Sequence, residues 1–282
     1  MYSFKTYDAI QTLPGMEELK TLAAKLLQTA ENLSNTGLSS IPLPNLILAA
    51  APGCGTSLHI RMIADLLRDL NLMQFIGDED AFEWALTGTE DSFDKLLRRI
   101  RIARGFYGQY QGVIGLDLSE VIGEKWPSVS KRLMEYVHYM HGSILFVFVV
   151  PIDTSKRTLD QLKASFASLT PVELIRTPFP GSDSSASYVV SHLEQKQMTV
   201  APEAQAIIRS AIAEMLESPA FDGYQTLTNL VDEICWRKFS TQVDGNLLIA
   251  AQDVAFLSGP GGYSSLFKSK EPTSKRLVGF GA

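Results

Sequence analysis

The residues whose types and order could do chemistry lie in LILAAAPGCGTS, Leu46 to Ser57. An apolar run leads into a Pro/Gly turn and then into a stretch with helical periodicity. That order suits an anion, because glycines let backbone N–H groups curl around it and a helix start adds partial positive charge. Against the phosphate-loop pattern G-x-x-x-x-G-K-[ST], Ala50 stands at the first glycine and Gly53 and Gly55 remain in the loop. Thr56 replaces the lysine, and Ser57 keeps the hydroxyl that binds magnesium. Candidate cofactor-binding residues are therefore Pro52, Gly53, Cys54, Gly55, Thr56 and Ser57. The competing reading of the same residues is a strand-to-helix turn with a Ser N-cap.

Sixty residues on (117 − 57), VIGLDLSE supplies a second apolar run that ends in an acid. An Asp at that place can hold a magnesium shell, so Asp117 joins Ser57 as a candidate metal ligand; its other reading is a cap on the turn after a strand. Leu118 follows where a water-activating acid would stand, which leaves Glu120, two residues further, as a weak catalytic candidate beside Asp117. His59, His138, His141 and His192 show no metal-ligand spacing. Ser57 has no matching His/Asp pattern and is a poor nucleophile. Lys95, Arg98, Arg99 and Arg101 project away from the apolar face of their segment and read as a solvated face, a contact to an acidic neighbouring subunit or a contact to nucleic acid.

The elements that must position these residues are short. Leu46–Ala50, Val113–Leu116, Ile144–Val150 and Val172–Ile175 are apolar, β-rich runs of the kind found in a parallel sheet covered on both faces. A further strand is expected near Met73–Ile76. Between them, Glu17 to Gln28, Ser57 to Leu70 and Phe93 to Ala103 carry apolar stripes at helical spacing. The Pro/Ser-rich PFPGSDSS, Pro178 to Ser185, reads as a boundary. Beyond it strands give way to expected helices at Ala186–Gln195, Pro202–Leu216, Thr226–Ser240 and Leu247–Leu257.

Composition bounds the function. The chain has 282 residues, 45% hydrophobic and 20% charged, with 31 acidic and 25 basic side chains. It carries enough apolar residues for a packed core, and its net charge of −6 gives no whole-chain reason to expect nucleic acid. The apolar run Ile144 to Val150 is far short of the roughly 20 residues that span a bilayer, and the N-terminal MYSFKTYD lacks a signal-peptide pattern. Two cysteines, Cys54 and Cys235, make neither a disulfide framework nor a zinc site. A cytoplasmic protein without membrane insertion is the expectation.

Taken in order, these segments resemble the AAA+ ATPases, a branch of the P-loop NTPases, and within them the CbxX/CfqX-like proteins. TLPGMEELK is similar to that branch's opening segment. TGTEDSFDKLLRRIRIARGFYGQYQGVIGLDLSEVIG is similar to its helix leading into the second phosphate-site strand, and SILFVFVVPID to its sensor-1 strand. LKASFASLTPVELIRTPFP looks like the arginine-finger stretch and hinge, FDGYQTLTNLVDEI like the sensor-2 helix start, and LLIAAQDVAFL like the closing lid helix. The resemblance implies a three-layer α/β/α domain with a five-stranded parallel sheet in the order 5-1-4-3-2, over residues 1–180. A small all-α lid over 181–258 and a flexible tail over 259–282 would follow.

The departures from the family pattern carry the functional expectation. Beside Thr56 and Leu118, Ser165 stands at the arginine finger and Thr226 at the sensor-2 arginine, while the pore loop becomes Leu86-Thr87-Gly88 with Trp84 as a substitute aromatic. A charge-assisted hydrogen bond contributes about 1.5–3 kcal/mol, so loss of the lysine weakens nucleotide binding by about ten- to a hundredfold. An arginine finger contributes roughly 10³–10⁵ in rate, so no turnover is expected. The implied function is a pseudo-ATPase that serves as a structural or regulatory, chaperone-like subunit of a protein assembly, with ATP or ADP and magnesium held without hydrolysis, or with no cofactor. It would form a homo- or hetero-oligomer with an active AAA+ relative, and Leu277, Val278 and Phe280 would form a docking peptide. Two alternatives are an active Mg-dependent AAA+ ATPase with an atypical loop, and a nucleic-acid-associated adaptor like an inactive clamp-loader subunit.

Overall fold

Strands form where apolar, β-branched and aromatic residues run without interruption, and helices where they recur every third or fourth position. In a computed structural model of the chain, which describes residues 5–38, 41–87, 89, 91–105, 108–123, 125–167, 170–218, 220–241, 247–258 and 262–264, two compact units result. One is built from residues up to Thr12, Glu17–Ala51 and Gly55–Pro178; the other comprises Leu13–Met16, Pro52–Cys54 and residues from Phe179 onward.

The first unit runs α1 (Lys5–Thr12), α2 (Glu17–Thr36), β1 (Asn45–Ala50), α3 (Thr56–Asp69), β2 (Ala81–Ala85), α4 (Ser92–Ala103), β3 (Gly112–Asp117), α5 (Trp126–Tyr139), β4 (Ile144–Pro151), α6 (Lys156–Ala167) and β5 (Val172–Thr177). Its five strands are all parallel, in the order β2-β3-β4-β1-β5, which read from the other edge is the expected 5-1-4-3-2. The chain leaves β1, crosses to the far edge at β2 and then works back. Right-handed crossovers therefore put α3 on one face and α4, α5 and α6 on the other. The packing agrees: Leu96, Ile100, Leu133, Leu162 and Phe166 join Ile47, Phe146 and Phe148 in one buried cluster. The rings of Phe148 and Phe166 stack at 4.0 Å. On the opposite face Gly115 of β3 lies bare under Ile60 of α3, so closely that a Cβ there would overlap its Cδ1.

One strand differs from its expected place. Met73–Ile76 forms no strand; Ile76 makes a lone antiparallel bridge to Gln111, and the edge strand is Ala81–Ala85. Phe82 is its one fully buried residue, as suits an edge strand, and a run of three acids just before it (Asp78, Glu79, Asp80) hides the signal. Asn45 starts β1 fully buried. Its amide donates to Thr170 Oγ1 at 2.9 Å and its Oδ1 accepts the Phe146 N–H at 2.9 Å, which ties β1 to β4 and to the turn before β5.

The second unit carries α7 (Ser182–Gln195), β6 (Thr199–Val200), α8 (Pro202–Leu216), α9 (Gly223–Thr241), β7 (Leu248–Ile249) and α10 (Ala251–Val254), closed by a 3₁₀ turn at Ala255–Leu257. Pro202 sits in the first turn of α8, where its missing N–H costs nothing. The expected helix over Leu247–Leu257 is shorter than its periodicity suggests. Leu248 and Ile249 pair with Thr199 and Val200, and the helix begins only at Ala251, where the Ala250 N–H is taken by Asp253 Oδ2 at 2.8 Å.

Candidate functional site

The turn after β1 divides its residues between the two units. In the second unit, Pro52–Cys54 forms a tight turn in which Gly53 has φ +70°, a conformation that costs an L side chain dearly. The turn is packed against the start of α9. The Tyr224 N–H donates to the Gly53 carbonyl at 2.8 Å, and a Cβ on Gly53 would run into the carbonyl of Asp222. Gly223, at φ +48°, faces it: a Cβ there would strike the Gly53 carbonyl in turn. Tyr224 also reaches Pro14, its hydroxyl donating to that carbonyl at 2.8 Å, and Cys54 is buried. Two opposed glycines thus let two backbones meet.

In the first unit, Gly55 caps α3 with φ +75° and no side-chain cap bond. The N-cap is therefore Gly55 and not Ser57, which stands one residue inside the helix after Thr56. His59 secures this helix start from within. Its N–H donates to the Gly55 carbonyl at 2.9 Å, and its ring Nδ1 lies 2.8 Å from the same oxygen. The imidazole is buried, and burial holds its pKa below the ordinary value, although the Gly55 bond works the other way. A histidine held neutral when folded but able to take a proton when unfolded makes stability fall as pH drops below about 6.5. The slope is at most about 1.4 kcal/mol per pH unit. A His59→Gln variant should show a flatter urea-midpoint profile between pH 7 and pH 5; an unchanged slope would refute this origin.

Ser57 has a partner. Its hydroxyl donates to the Glu83 carboxylate on β2. Burial pushes the Glu83 carboxyl up, the Ser57 bond and Arg61 pull it down, and the like charge of Asp117 pushes it up again. Register explains the grouping: Glu83 lies beside Gly115 and Ala85 beside Asp117 on adjacent parallel strands, and Gly115 leaves room for Glu83. Asp117 itself accepts the Ser119 N–H at 2.8 Å, the turn-capping contact that was its competing reading. Glu120 is exposed in the turn that follows. Leu118 is wholly buried in the core, and its N–H bonds Val149, so an acid there would lose its solvation. Glu83 was missed in the sequence because the edge strand was sought eight residues too early (81 − 73); its signal was a lone acid at the centre of AFEWA.

The other expected positions resolve one by one. Trp84 packs against the sheet cluster with its Nε1 buried and unpartnered among the described residues, and Leu86 is buried. The aromatic proposed for the pore loop is therefore core, and Gly88 lies outside the described residues. Ser165 bonds back to the Gln161 carbonyl at 2.9 Å. Thr226 is buried and its hydroxyl accepts the Asp222 N–H at 2.9 Å. On α4, Lys95 pairs with Asp91 at 2.7 Å, and Arg99 pairs with Glu79 while covering the Phe82 ring; Arg98 and Arg101 are exposed. Leu277, Val278 and Phe280 lie outside the described residues. Among the described residues no group of three or more His, Cys, Asp or Glu side chains is placed to hold a metal ion, and no helix is long and apolar enough to cross a membrane.

A magnesium-bound triphosphate takes a lysine and a free hydroxyl from its loop. Position 56 offers no cation, and the Ser57 hydroxyl is given to Glu83, a carboxylate with Asp117 beside it. This donor set does not fit such a ligand held in the usual manner.

The strand order, the β1-turn-α3 connection and helices on both faces define a three-layer α/β/α fold, with the strand order that the AAA+ resemblance leads one to expect. No protein-family model matches the sequence, and no curated protein matches it. Among solved structures, the Bacillus subtilis DNA clamp loader delta protein (YqeN) is similar at a TM-score of 0.37 and 12% identity, over 82% of this chain and 62% of that one. The chain thus spans less than two thirds of that protein, and the fold assignment rests on the strand order itself.

Proposed function

We propose that this chain is a pseudo-ATPase: a non-catalytic AAA+-like subunit of the CbxX/CfqX-like type that builds or regulates a protein assembly in the cytoplasm. One observation carries the reading. The four positions where the family resemblance puts a working charge hold Thr56, Leu118, Ser165 and Thr226, and three of these have structural duties instead: Leu118 fills the core, Ser165 back-bonds its helix and Thr226 fixes the start of α9. Phosphoryl transfer needs positioned positive charge and an oriented water, and neither is supplied by these residues. The donor set at Pro52–Ser57 and Asp117 does not fit a magnesium-bound triphosphate held in the usual manner. The chain would therefore act without turnover of its own, and an active relative in a mixed oligomer would provide the missing lysine and arginines.

Phosphate release under saturating Mg·ATP tests the reading. Release should stay at background and be unaffected by Asp117→Asn or Glu120→Gln. Release that Asp117→Asn abolishes would establish an active ATPase and end the proposal.

A further inference from the structure

The outer surface of α4 and α5 leaves cations and large apolar groups in solvent side by side. Each helix leads from one parallel strand to the next, so the two run in the same direction. Their register is fixed near the start of α4: Arg132 of α5 pairs with Asp94 at 2.8 Å, and its guanidinium lies over the Phe93 ring. The Phe93 and Tyr136 rings meet edge to face at 5.8 Å. Burial raises the pKa of the Tyr136 hydroxyl, and Arg104, just past the end of α4, works the other way. The two helices are therefore neighbours from the start of α4 to its end.

From the Asp94–Arg132 pair, helical spacing carries two stripes along the surface. On α4 the stripe reaches Arg98 and then Arg101; on α5 it reaches Glu135 and then Tyr139. All four are exposed. Tyr139 is 81% exposed, and Ile102, next to Arg101, is 69% exposed. Lys131 is exposed beside Arg132. Two other cations of α4 are paired, Lys95 with Asp91 and Arg99 with Glu79. Arg98, Arg101 and Lys131 have no ion-pair partner among the described residues. Within the two helices the acids are Asp94, taken by Arg132, and Glu135. Unpaired cations thus gather here on a chain whose net charge is −6.

Charge complementarity selects the occupant. Arginine forks match carboxylates, and Arg with Tyr is the composition of an interface centre. A nucleic-acid strand carries a phosphate at every residue and would meet Asp91 and Glu135 along the same surface. A polypeptide can place its acids only where the cations stand. We propose that the α4–α5 surface docks an acidic segment of a partner protein, with carboxylates on Arg98 and Arg101 and an apolar side chain against Ile102 and Tyr139. This names the partner chemistry of the assembly role proposed above and rests on that role, but on no nucleotide at Pro52–Ser57. Phosphate release that ended the pseudo-ATPase reading would leave the following test unaffected.

Fluorescence anisotropy of a labelled random copolymer of Glu and Tyr, titrated with the full chain at low salt, tests it. Binding should saturate and should weaken about tenfold in Arg98→Ser/Arg101→Ser, the worth of two exposed ion pairs. Tyr139→Ser should weaken it about three- to tenfold, the worth of one aromatic pair. The three side chains are exposed, so the urea midpoints of both variants should match that of the natural chain. No saturable binding, or binding that Arg98→Ser/Arg101→Ser leaves unchanged, would overturn the proposal. Tighter binding of a poly-dT oligonucleotide through the same two arginines would overturn it in favour of nucleic acid. Sedimentation of the natural chain as a dimer that the double variant dissolves would also overturn it, with a second copy as the occupant.

Discussion

Gly53→Ala should destabilise the protein by about 2–5 kcal/mol. Two costs add. An L residue held in the left-handed region loses roughly 1–2 kcal/mol, and Gly53 sits at φ +70°. Forcing a methyl into a filled space adds about 1–3 kcal/mol, and the space next to Gly53 is filled by the Asp222 backbone, which cannot swing aside as a side chain would. Gly142→Ala separates the two. Gly142 has φ +87° but nothing within 4 Å of a built Cβ, so it should lose only the conformational part. Urea-unfolding midpoints of the two variants give the comparison. Equal losses would mean that the contact with Asp222 does not form. The outcome bears on function, because a glycine demanded by backbone packing is not by itself a sign of phosphate binding.

Lys238→Met should cost about 3–5 kcal/mol, the penalty for stranding a buried charge. The Lys238 ammonium and the Asp253 carboxylate meet at 2.9 Å with side chains 2% and 7% exposed, and Asp253 also receives the Ala250 N–H. One ion pair therefore joins α9 to the start of α10. Adding Asp253→Asn should recover part of the loss, since the amide oxygen can still accept the Ala250 N–H and no buried charge remains. A single-variant loss under about 1 kcal/mol, the range of exposed pairs, would show that the pair is hydrated.

Much of the fold was legible because its strands are buried on both faces. Leu46–Ala50 and Ile144–Val150 have no polar interruption, and their order with the intervening apolar stripes is enough to imply the sheet. The edge strand Ala81–Ala85 was not legible, since Glu83 breaks its apolar run. The closing helix was overestimated because Leu248 and Ile249 fit a helical stripe and a two-residue strand equally well. For the candidate site, the sequence offered a loop, a hydroxyl and an acid as candidates, together with positions that lack the family's charges. It could not reveal that Ser57 bonds Glu83, or that Gly53 meets Asp222 and Tyr224, because both contacts join residues far apart in the chain. Leu118 and Thr226 read as losses in sequence, whereas the fold gives each a structural use.

The central claim is that the scaffold persists while the charge that grips the fuel is gone. Calorimetric titration of Mg·ATP into the natural chain and into Thr56→Lys tests it most directly. The account predicts that the restored lysine tightens binding by about ten- to a hundredfold, the worth of one charge-assisted hydrogen bond, with no phosphate released by either protein. Tight binding by the natural chain that Thr56→Lys leaves unimproved would contradict it.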